Sequence, residues 1–308
     1  MITVDYTHSG TSYIPELAAY SEFVRHLGHQ VQVHTHPASV PRDAAVVWWL
    51  CGRVPRHAAR RFAHAFQVHE YASASVPPWA WLKDRAKRAS QPQPQYRLFQ
   101  NAWVRARLGF ADGVPNEFRD MGIASAFFSA QGTPGSPEFD VVYLGDMRRL
   151  RHFVPLLQGL EQAGLRTLLI GEPPPDLHPV LAPLQRTTLT GTVAHSAVPG
   201  LLRRARFGLN LVPNQAPYHQ QTSTKLLEYC AVGLPVVTTD YPWVRAFAQA
   251  HKARFILLPR QAKDRAQYAR FFATQLDHAA CTVPDLHALA WPRVLERLAL
   301  WHTLGLHP

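Results

Sequence analysis

The chain has 308 residues, of which 47% are hydrophobic and 17% charged, and these proportions are ordinary for a globular protein. Its length exceeds the usual domain size of roughly 100 to 200 residues and predicts two domains. No apolar run approaches the roughly 18 to 20 residues that cross a bilayer. The N-terminus also lacks the basic and apolar regions of a signal peptide. We therefore expect a cytoplasmic protein.

The charge is strongly basic, with 32 Lys and Arg against 21 Asp and Glu and a formal net charge of +11. Such a balance favours a polyanionic partner, and nucleic acid, anionic lipid and phosphorylated substrate all stay open. The three cysteines, Cys51, Cys230 and Cys281, are far apart and form no C-x-x-C spacing. They indicate neither a disulfide framework nor a zinc site, and we expect them in the core.

In the first half of the chain, short apolar runs alternate with amphipathic stretches, which predicts βα units and parallel sheets. We predict strands at 2–6, 30–34, 44–50 and 66–70, a turn at 9–12 and a helix over 14–27. The last of these strands ends in His69 and Glu70. Because α/β sheets bind ligands at the ends of their strands, both are candidate site residues.

The segment 83–107 is the most cationic part of the chain, with seven basic residues and one acid. It contains Tyr96, Phe99 and Trp103 and follows Trp79 and Trp81. One interpretation is a solvated basic helical face with its aromatic residues in the core. The other is a patch that contacts an anionic membrane or an acceptor.

A segment rich in Gly, Pro and Ser at 131–138 has the composition of a linker. We place the domain boundary there, with domains over 1–135 and 139–287. The second domain repeats the alternation, with strands predicted at 140–144, 166–170, 207–212 and 235–239 and helices over 150–163 and 224–232.

The segment 222–240 is typical of a cap, a helix, a stop and a strand. A helix start presents free N–H groups and partial positive charge, so it attracts phosphate, and Lys225 adds a full charge there. Glu228 lies three residues later on the same face, where a ribose could donate to it. Together the two residues describe a nucleoside diphosphate site. The alternative is a surface i, i+3 ion pair of a few tenths of a kcal/mol.

The stretch Lys225-Leu-Leu-Glu228-Tyr-Cys-Ala-Val-Gly-Leu-Pro-Val-Val-Thr-Thr-Asp240 resembles the signature of the retaining GT-B glycosyltransferases of the glycogen-synthase-like, or group 1, superfamily. Val142-Tyr-Leu-Gly145-Asp-Met-Arg148-Arg149 is similar to the first strand and phosphate-facing loop of that family's second domain. The resemblance covers roughly 139–250 well and the first half more loosely.

This resemblance implies an α/β GT-B fold of two Rossmann-like domains with parallel sheets facing across a cleft. The first domain would bind the acceptor and the second the nucleotide-sugar. It also implies that residues 288–308 form a helix that packs back towards the first domain, and that the domains close about 132–137. A histidine matching His69 faces the transferred sugar in this family.

We accordingly predict a catalytic set of His69, Lys225 and Arg148. The predicted donor-binding residues are Gly145, Asp146, Arg149, Gln220, Gln221, Thr222, Ser223, Thr224 and Glu228. One departure is Gln220, which stands where many family members have the first of two glutamates. An amide can bind sugar hydroxyls but offers no negative charge to an oxocarbenium-like centre, so a retaining outcome is less firmly implied.

The chain contains no Asp-x-Asp pair, so we expect no metal and no cofactor, with a UDP-sugar favoured as donor substrate. The acceptor would be a glycan or lipid-linked molecule in bacterial surface polysaccharide or lipopolysaccharide assembly. The protein would be cytoplasmic and could lie peripherally on the inner face of an anionic membrane through 83–107. If the enzyme inverts, Glu70 or Asp5 would be the base.

Three alternatives remain at this stage. A sugar-nucleotide epimerase of the same fold would use the same phosphate site with acid and base carboxylates and no acceptor. A non-catalytic nucleotide-binding or polyanion-binding adaptor would exploit the +11 charge, although no nucleic-acid-binding signature is present and we expect no nucleic-acid partner. A degenerate transferase would bind nucleotide without turnover.

Overall fold

The structure, a computed structural model, describes residues 1–8, 10, 14–50, 52–130 and 137–306. Most of the predicted 9–12 turn, Cys51 and most of the 131–138 linker with its proposed hinge lie outside the described residues.

Short strands and helices alternate along the chain. The strands are β1 (Thr3–His8), β2 (Gln30–His34), β3 (Val46–Leu50), β4 (Phe66–Tyr71), β5 (Tyr96–Phe99), β6 (Asn116–Phe118), β7 (Phe139–Leu144), β8 (Thr167–Ile170), β9 (Thr187–Leu189), β10 (Ala205–Asn210), β11 (Val236–Thr238) and β12 (Ile256–Leu257). The helices are α1 (Pro15–His26), α2 (Arg56–Arg61), α3 (Ala80–Ser90), α4 (Ala102–Leu108), α5 (Ser125–Ser129), α6 (Val154–Gln162), α7 (His178–Leu181), α8 (Val198–Leu202), α9 (Thr224–Ala231), α10 (Pro242–Ala250), α11 (Arg265–Gln275), α12 (Trp291–Glu296) and α13 (Leu300–Thr303).

The chain divides into two compact units. Unit 1 comprises Met1–Gly122 and Leu289–Pro308, and unit 2 comprises Ile123–Ala288. The sequence-based boundary at 135 to 139 is therefore too late, because α5 packs against α9 within unit 2. Residues 123–130 belong with the second half of the chain.

Each unit is built on one six-stranded sheet, and the paired strands in both sheets are parallel. The order is β2-β1-β3-β4-β5-β6 in unit 1 and β12-β11-β10-β7-β8-β9 in unit 2. The direction of strand addition reverses between β1 and β3 and again between β7 and β10. Such switch points leave a crevice at the carboxyl ends of the strands. The predicted α/β fold with parallel sheets is confirmed.

The central strands of the unit 2 sheet, β7, β8 and β10, are largely buried on both faces, as their nearly continuous apolar sequences require. Val141, Leu169, Phe207 and Val237 are fully buried members of one core cluster. Helix α6 lies against α11, and Gly159 permits the contact because a Cβ there would be 2.5 Å from the Cβ of Tyr268. The apolar runs thus fix both the sheet and the helices that cover it.

A buried ion network holds unit 1 together. The Glu70 carboxylate on β4 pairs with the guanidinium of Arg119 and accepts from the hydroxyl of Tyr20 at 3.0 Å and from Nε1 of Trp48 at 2.8 Å. A second carboxylate, Glu16, lies 3.4 Å from Arg119. Removing such charges from water is costly unless they are paired, and here each is.

The C-terminal residues pack on this network. The Trp291 ring centroid lies 5.5 Å from Cζ of Arg119, and the Trp301 ring lies 5.6 Å from that of Trp48. The Glu117 carboxylate accepts from the N–H groups of Ala299 and Leu300 at 2.9 Å. The segment predicted as one helix over 288–308 therefore belongs to unit 1 and forms two short helices, α12 and α13.

Within the described ranges, no helix is long and apolar enough to span a bilayer.

Candidate anion-binding site

The site in unit 2 lies where β7 and β10 separate at the switch point. Their pairing ends at Val142 and Gly208. Beyond that point the N–H of Leu144 donates to the Tyr229 hydroxyl at 2.9 Å, and this hydroxyl donates to the Leu209 carbonyl at 3.3 Å. One side chain from α9 thus satisfies both strand ends where the backbone ladder stops.

Helix α9 begins at this crevice. Ser223 occupies the cap position, but its hydroxyl donates to Oδ1 of Asn210 at 2.7 Å and makes no capping bond. The predicted side-chain cap is wrong for that reason. The first N–H groups of an α-helix have no partner within the helix. Since no side chain of the described residues caps α9, its start retains the capacity to bind an anion.

The Lys225 side chain is turned into the crevice. It is 93% buried, and Nζ lies 4.1 Å from the centroid of the Tyr143 ring. A Cβ at Gly145 would lie 3.6 Å from Nζ, so the glycine leaves room for the amine. Within the described parts of the chain Nζ has no hydrogen-bond partner. Burial lowers the pKa of Lys225 well below its usual range, and Arg149 lowers it further, although Asp146 and Glu228 oppose this.

A small pocket of about 80 Å³ opens beside this amine. The Arg149 guanidinium lies over the Tyr218 ring, 5.0 Å from its centroid. The lining residues are Arg149, Val212, Tyr218, Gln221, Thr222, Ser223, Thr224 and Lys225. Pockets that hold drug-sized ligands measure roughly 300 to 1,000 Å³. This one has the size and the charge for a single anionic group.

The structure separates the two arginines that the sequence groups together. Arg149 lines the pocket, whereas Arg148 is 71% exposed in its side chain and pairs with Asp146 at 2.8 Å. The Asp146 carboxylate also accepts from the N–H of Arg148 at 3.0 Å. Burial raises the pKa of Asp146, but these bonds from Arg148 outweigh it and the net pKa is lowered. Of the two arginines only Arg149 lines the pocket, and the catalytic role of Arg148 stays a prediction.

Glu228 lies one turn after Lys225 on α9, and no ion pair joins the two within the described ranges. Instead Oε1 of Glu228 lies 3.0 Å from Nε2 of His195. The surface i, i+3 ion pair is therefore wrong. Gln220, the residue that departs from the family pattern, ends a 3-10 turn at Tyr218–Gln220 and does not line the pocket.

His69 lies in unit 1, in the middle of its sheet. It pairs in register with Trp49 and Arg97 and is only 1% exposed. Nδ1 lies 3.4 Å from the Tyr71 hydroxyl, and Nε2 has no partner in the described part of the chain. Burial, with a smaller contribution from Arg97, lowers the pKa of His69 to about 3. This imidazole is neutral at physiological pH.

The two carboxylates considered as bases are both engaged. Glu70 belongs to the buried network with Arg119, and Asp5 lies 2.8 Å from Nε2 of His34 and is 1% exposed. A general base needs to reach the proton that it removes. The packing of unit 1 therefore argues against either residue in that role.

Sequence reasoning missed the aromatic residues of the site, Tyr143, Tyr218 and Tyr229, and also His195. Tyr143 and Tyr229 stand inside apolar runs, where the sequence does not distinguish them from ordinary aromatic residues of the core. His195 follows a short Thr-Gly-Thr-Val-Ala stretch that carries no ligand signal of its own. The one available indication was Tyr143, two positions before Gly145, because an aromatic ring there can make a cation–π contact.

These two units, each with a parallel sheet and a switch point, define the GT-B fold, and solved structures of that fold match almost the whole chain. AviGT4, a glycosyltransferase of avilamycin A biosynthesis, is 13% identical over 99% of this chain and 98% of its own, with a TM-score of 0.60. Alr3699/HepE from Anabaena, solved with UDP and glucose, is 10% identical over 96% and 94%, with a TM-score of 0.66. A putative UDP-N-acetylglucosamine 2-epimerase from Listeria monocytogenes is 11% identical over 100% and 98%, with a TM-score of 0.56.

Residues 138–274 match the family model described as glycosyl transferases group 1. The match covers somewhat less than half of the chain, and over this segment the resemblance found in the sequence is confirmed. Comparison with curated proteins found no match.

Proposed function

We propose that the chain transfers a sugar from a nucleoside diphosphate sugar, with a UDP-sugar as the favoured donor, to a glycan or lipid-linked acceptor. The observation that carries the proposal is the buried, unpartnered amine of Lys225 beside the start of α9. A buried cationic group without a partner is costly to keep, and an anionic ligand offsets that cost. HepE, which shares the fold and was solved with UDP and glucose, supports the choice of uracil as the nucleobase of the donor.

The proposed chemistry is stabilisation of the leaving group. As the bond from the anomeric carbon to the donor phosphate breaks, negative charge grows on the β-phosphate. Lys225 and Arg149, which line the same pocket, would stabilise that charge together with the N–H groups that open α9. A bound phosphate favours the protonated form of Lys225, so the ammonium would be fully charged when the donor is present. Protein cations would then do what a metal ion does in other transferases.

Glu228 is proposed to accept hydrogen bonds from the ribose hydroxyls. His195 at 3.0 Å would orient its carboxylate. His69, neutral and with an unpartnered Nε2, would act towards the transferred sugar as a hydrogen-bonding group rather than as a charge.

A retaining outcome is supported by the engagement of Glu70 in a buried ion pair and of Asp5 in a buried hydrogen bond with His34. In a retaining reaction the donor phosphate can itself accept the acceptor proton. Bacterial surface polysaccharide or lipopolysaccharide assembly remains the proposed setting, on the analogy of the fold family.

The first test is thermal unfolding of the full chain with UDP, GDP, ADP, CMP and TDP. A ligand that binds only the folded state raises the midpoint by mass action. We expect one nucleotide to raise it, and Lys225→Met to lose the shift. Arg148→Met is the matched control, since it removes a neighbouring cation that lies outside the pocket. No shift with any nucleotide, or an equal loss in both variants, would contradict the proposal and favour the adaptor.

The epimerase is the second candidate, because the Listeria protein shares the fold over the whole chain. The two functions differ in their need for an acceptor. An epimerase would interconvert the sugar of its UDP-sugar in the absence of any acceptor. We expect no such interconversion, measured by NMR of the anomeric protons after incubation with UDP-hexoses.

A further inference from the structure

A cluster of large apolar side chains is exposed on unit 1 just before and within α3. The exposed fractions are 42% for Val76, 68% for Trp79, 56% for Trp81 and 48% for Leu82. In the rest of the described chain the other exposed large hydrophobic residues are dispersed along the sequence. Scattered residues of this kind are normal, whereas a cluster marks an interaction surface.

The cluster faces outward because Asp84, on the inner side of helix α3, anchors the helix to unit 1 through buried hydrogen bonds. That carboxylate is buried and accepts from the N–H of Ser75 at 2.9 Å and from Nε of Arg107 at 3.1 Å. At 3.6 residues per turn, Leu82 lies on the side of the helix opposite Asp84. Arg85 follows three residues later and neighbours it on the exposed side.

Trp79 has an unusual backbone. It precedes α3 with φ of +61°, in the left-handed region that a bulky L-residue rarely adopts. Because its ring is mostly exposed, burial within unit 1 does not offset this strain. Trp79 therefore combines a strained backbone with an exposed aromatic ring.

The charges around the cluster have one sign. Between positions 71 and 111 the only acid is Asp84, which is already paired. On α3 itself Lys83, Arg85 and Arg88 are exposed, and α4, which packs against α3, adds the exposed Arg105. Apolar and aromatic side chains flanked by cations are the composition of helices that lie in a membrane interface.

We propose that the α3 surface, formed by Val76, Trp79, Trp81, Leu82, Lys83 and Arg85, docks on an anionic lipid bilayer. The tryptophan and aliphatic side chains enter the boundary between headgroups and acyl chains, and the cations contact the headgroups. Nucleic acid fits less well, because Val76 and Leu82 cannot stack on bases but gain from burial among acyl chains. This inference does not rest on glycosyl transfer.

The test uses the full chain and vesicles of phosphatidylcholine, alone or mixed with phosphatidylglycerol, without any sugar nucleotide. We expect co-sedimentation with the mixed vesicles that weakens as salt is added. Trp79→Gly should weaken it about tenfold or more. It also relieves the left-handed backbone, so the unfolding midpoint should stay or rise. Lys252→Gly is the matched control, because Lys252 is the other non-glycine residue with positive φ in the described chain, at +52°.

The charge contribution is tested with Lys83→Gln/Arg85→Gln, which should weaken binding to the mixed vesicles roughly 30-fold, since each cation near an anionic surface contributes about fivefold. Arg25→Gln/Arg42→Gln removes two exposed cations of unit 1 outside the α3 surface and should change little. The inference is overturned if the wild type ignores anionic vesicles, if the control variants lose as much binding, or if poly-dT is bound in preference to vesicles. Each of these outcomes leaves the nucleotide-shift test of the donor site unaffected.

Discussion

Unit 1 and unit 2 each bury a basic side chain deep in an α/β unit, but they treat it in opposite ways. Arg119 is 1% exposed and is surrounded by Glu70, Glu16 and two aromatic rings. Lys225 is also buried, yet its Nζ has no hydrogen-bond partner among the described residues and faces a pocket with a second cation.

The difference teaches which buried charge belongs to the fold and which to the function. A paired ion is held by its neighbours, and losing one partner strands the other. A buried cation without a hydrogen-bond partner among the described residues is not held in this way, and under the proposed function the donor phosphate would pair with it. Burial alone would have ranked Arg119 and Lys225 together, whereas the hydrogen bonds around them separate the two.

The largest expected effect is on unit 1. Arg119→Met strands the Glu70 and Glu16 carboxylates in a site that water does not reach, and should lower the free energy of unfolding by about 3–5 kcal/mol. Urea unfolding followed by tryptophan fluorescence measures this. Adding Glu70→Gln to the variant should restore part of the loss. A loss below about 1 kcal/mol, the range of a surface pair, would mean that the network is not structural.

Next in size is the effect of Lys225→Met on catalysis. Once a donor and acceptor are known, kcat should fall by about 10²–10³-fold, because one charge-stabilising donor is worth about 3–4 kcal/mol. The kcat of Arg149→Met should fall by a similar factor, and that of Arg148→Met should fall much less. Steady-state assays at saturating donor separate the three variants. Equal losses for Arg148 and Arg149 would erase the distinction that the structure draws between them.

A smaller effect is expected on the stability of the ligand-free protein, and its sign is opposite to that of Arg119. Lys225→Met should leave the free energy of unfolding unchanged or raise it by about 1–2 kcal/mol, as replacement of a buried ion by an apolar side chain often does. Denaturant unfolding at neutral pH measures it. A clear destabilisation would place Lys225 with Arg119 as a structural charge.

The pH dependence sharpens the same point. The pKa of Lys225 is lowered in the folded state. At pH values between this lowered pKa and the usual lysine pKa of about 10.4, the unfolded chain therefore binds more protons than the folded chain. Wild-type stability should therefore rise with pH across this window relative to Lys225→Met. Lys263→Met, at an exposed lysine, should show no such difference. Saturating nucleotide should flatten the wild-type curve, because a bound phosphate returns the lysine to its charged form.

The smallest effect concerns Tyr229→Phe. It removes the hydroxyl that bonds the Leu144 N–H and the Leu209 carbonyl, and should cost about 0.5–1.5 kcal/mol of stability in total. Nucleotide affinity should fall as well, although Tyr229 does not line the pocket. Isothermal titration with the nucleotide found in the thermal screen measures this. An unchanged affinity would show that the crevice does not depend on the hydroxyl.

Much of the fold followed from pattern. The strands β2 and β8 were both predicted to within one residue. The first shows the polar–apolar alternation of an edge strand, and the second is a short buried apolar run. The domain boundary was missed because Gly and Pro content marks a loop but not which side packs with it. Helix α5 is too short to carry a signal of its own.

Only those site residues that lie close together in the sequence were predictable. Lys225 and Glu228 stand out because their spacing on one helix is fixed by sequence. The exchange of Arg148 for Arg149 depends on which of two adjacent side chains Asp146 captures, and Glu228 finds His195 across 33 positions of chain. Such choices are made by tertiary packing, and a linear pattern does not contain them.

Gly208 does not line the pocket, but it contacts a side chain that shapes the crevice. A Cβ at this position would lie 2.5 Å from the Tyr229 ring, so the ring and the bare backbone of the strand form one matched pair. Enlarging the glycine by a single methyl group would push the ring away and withdraw its hydroxyl from the two strand ends. A survey of natural or engineered variants confined to the pocket lining would overlook this position, although a side chain here displaces the ring that holds the two strand ends apart.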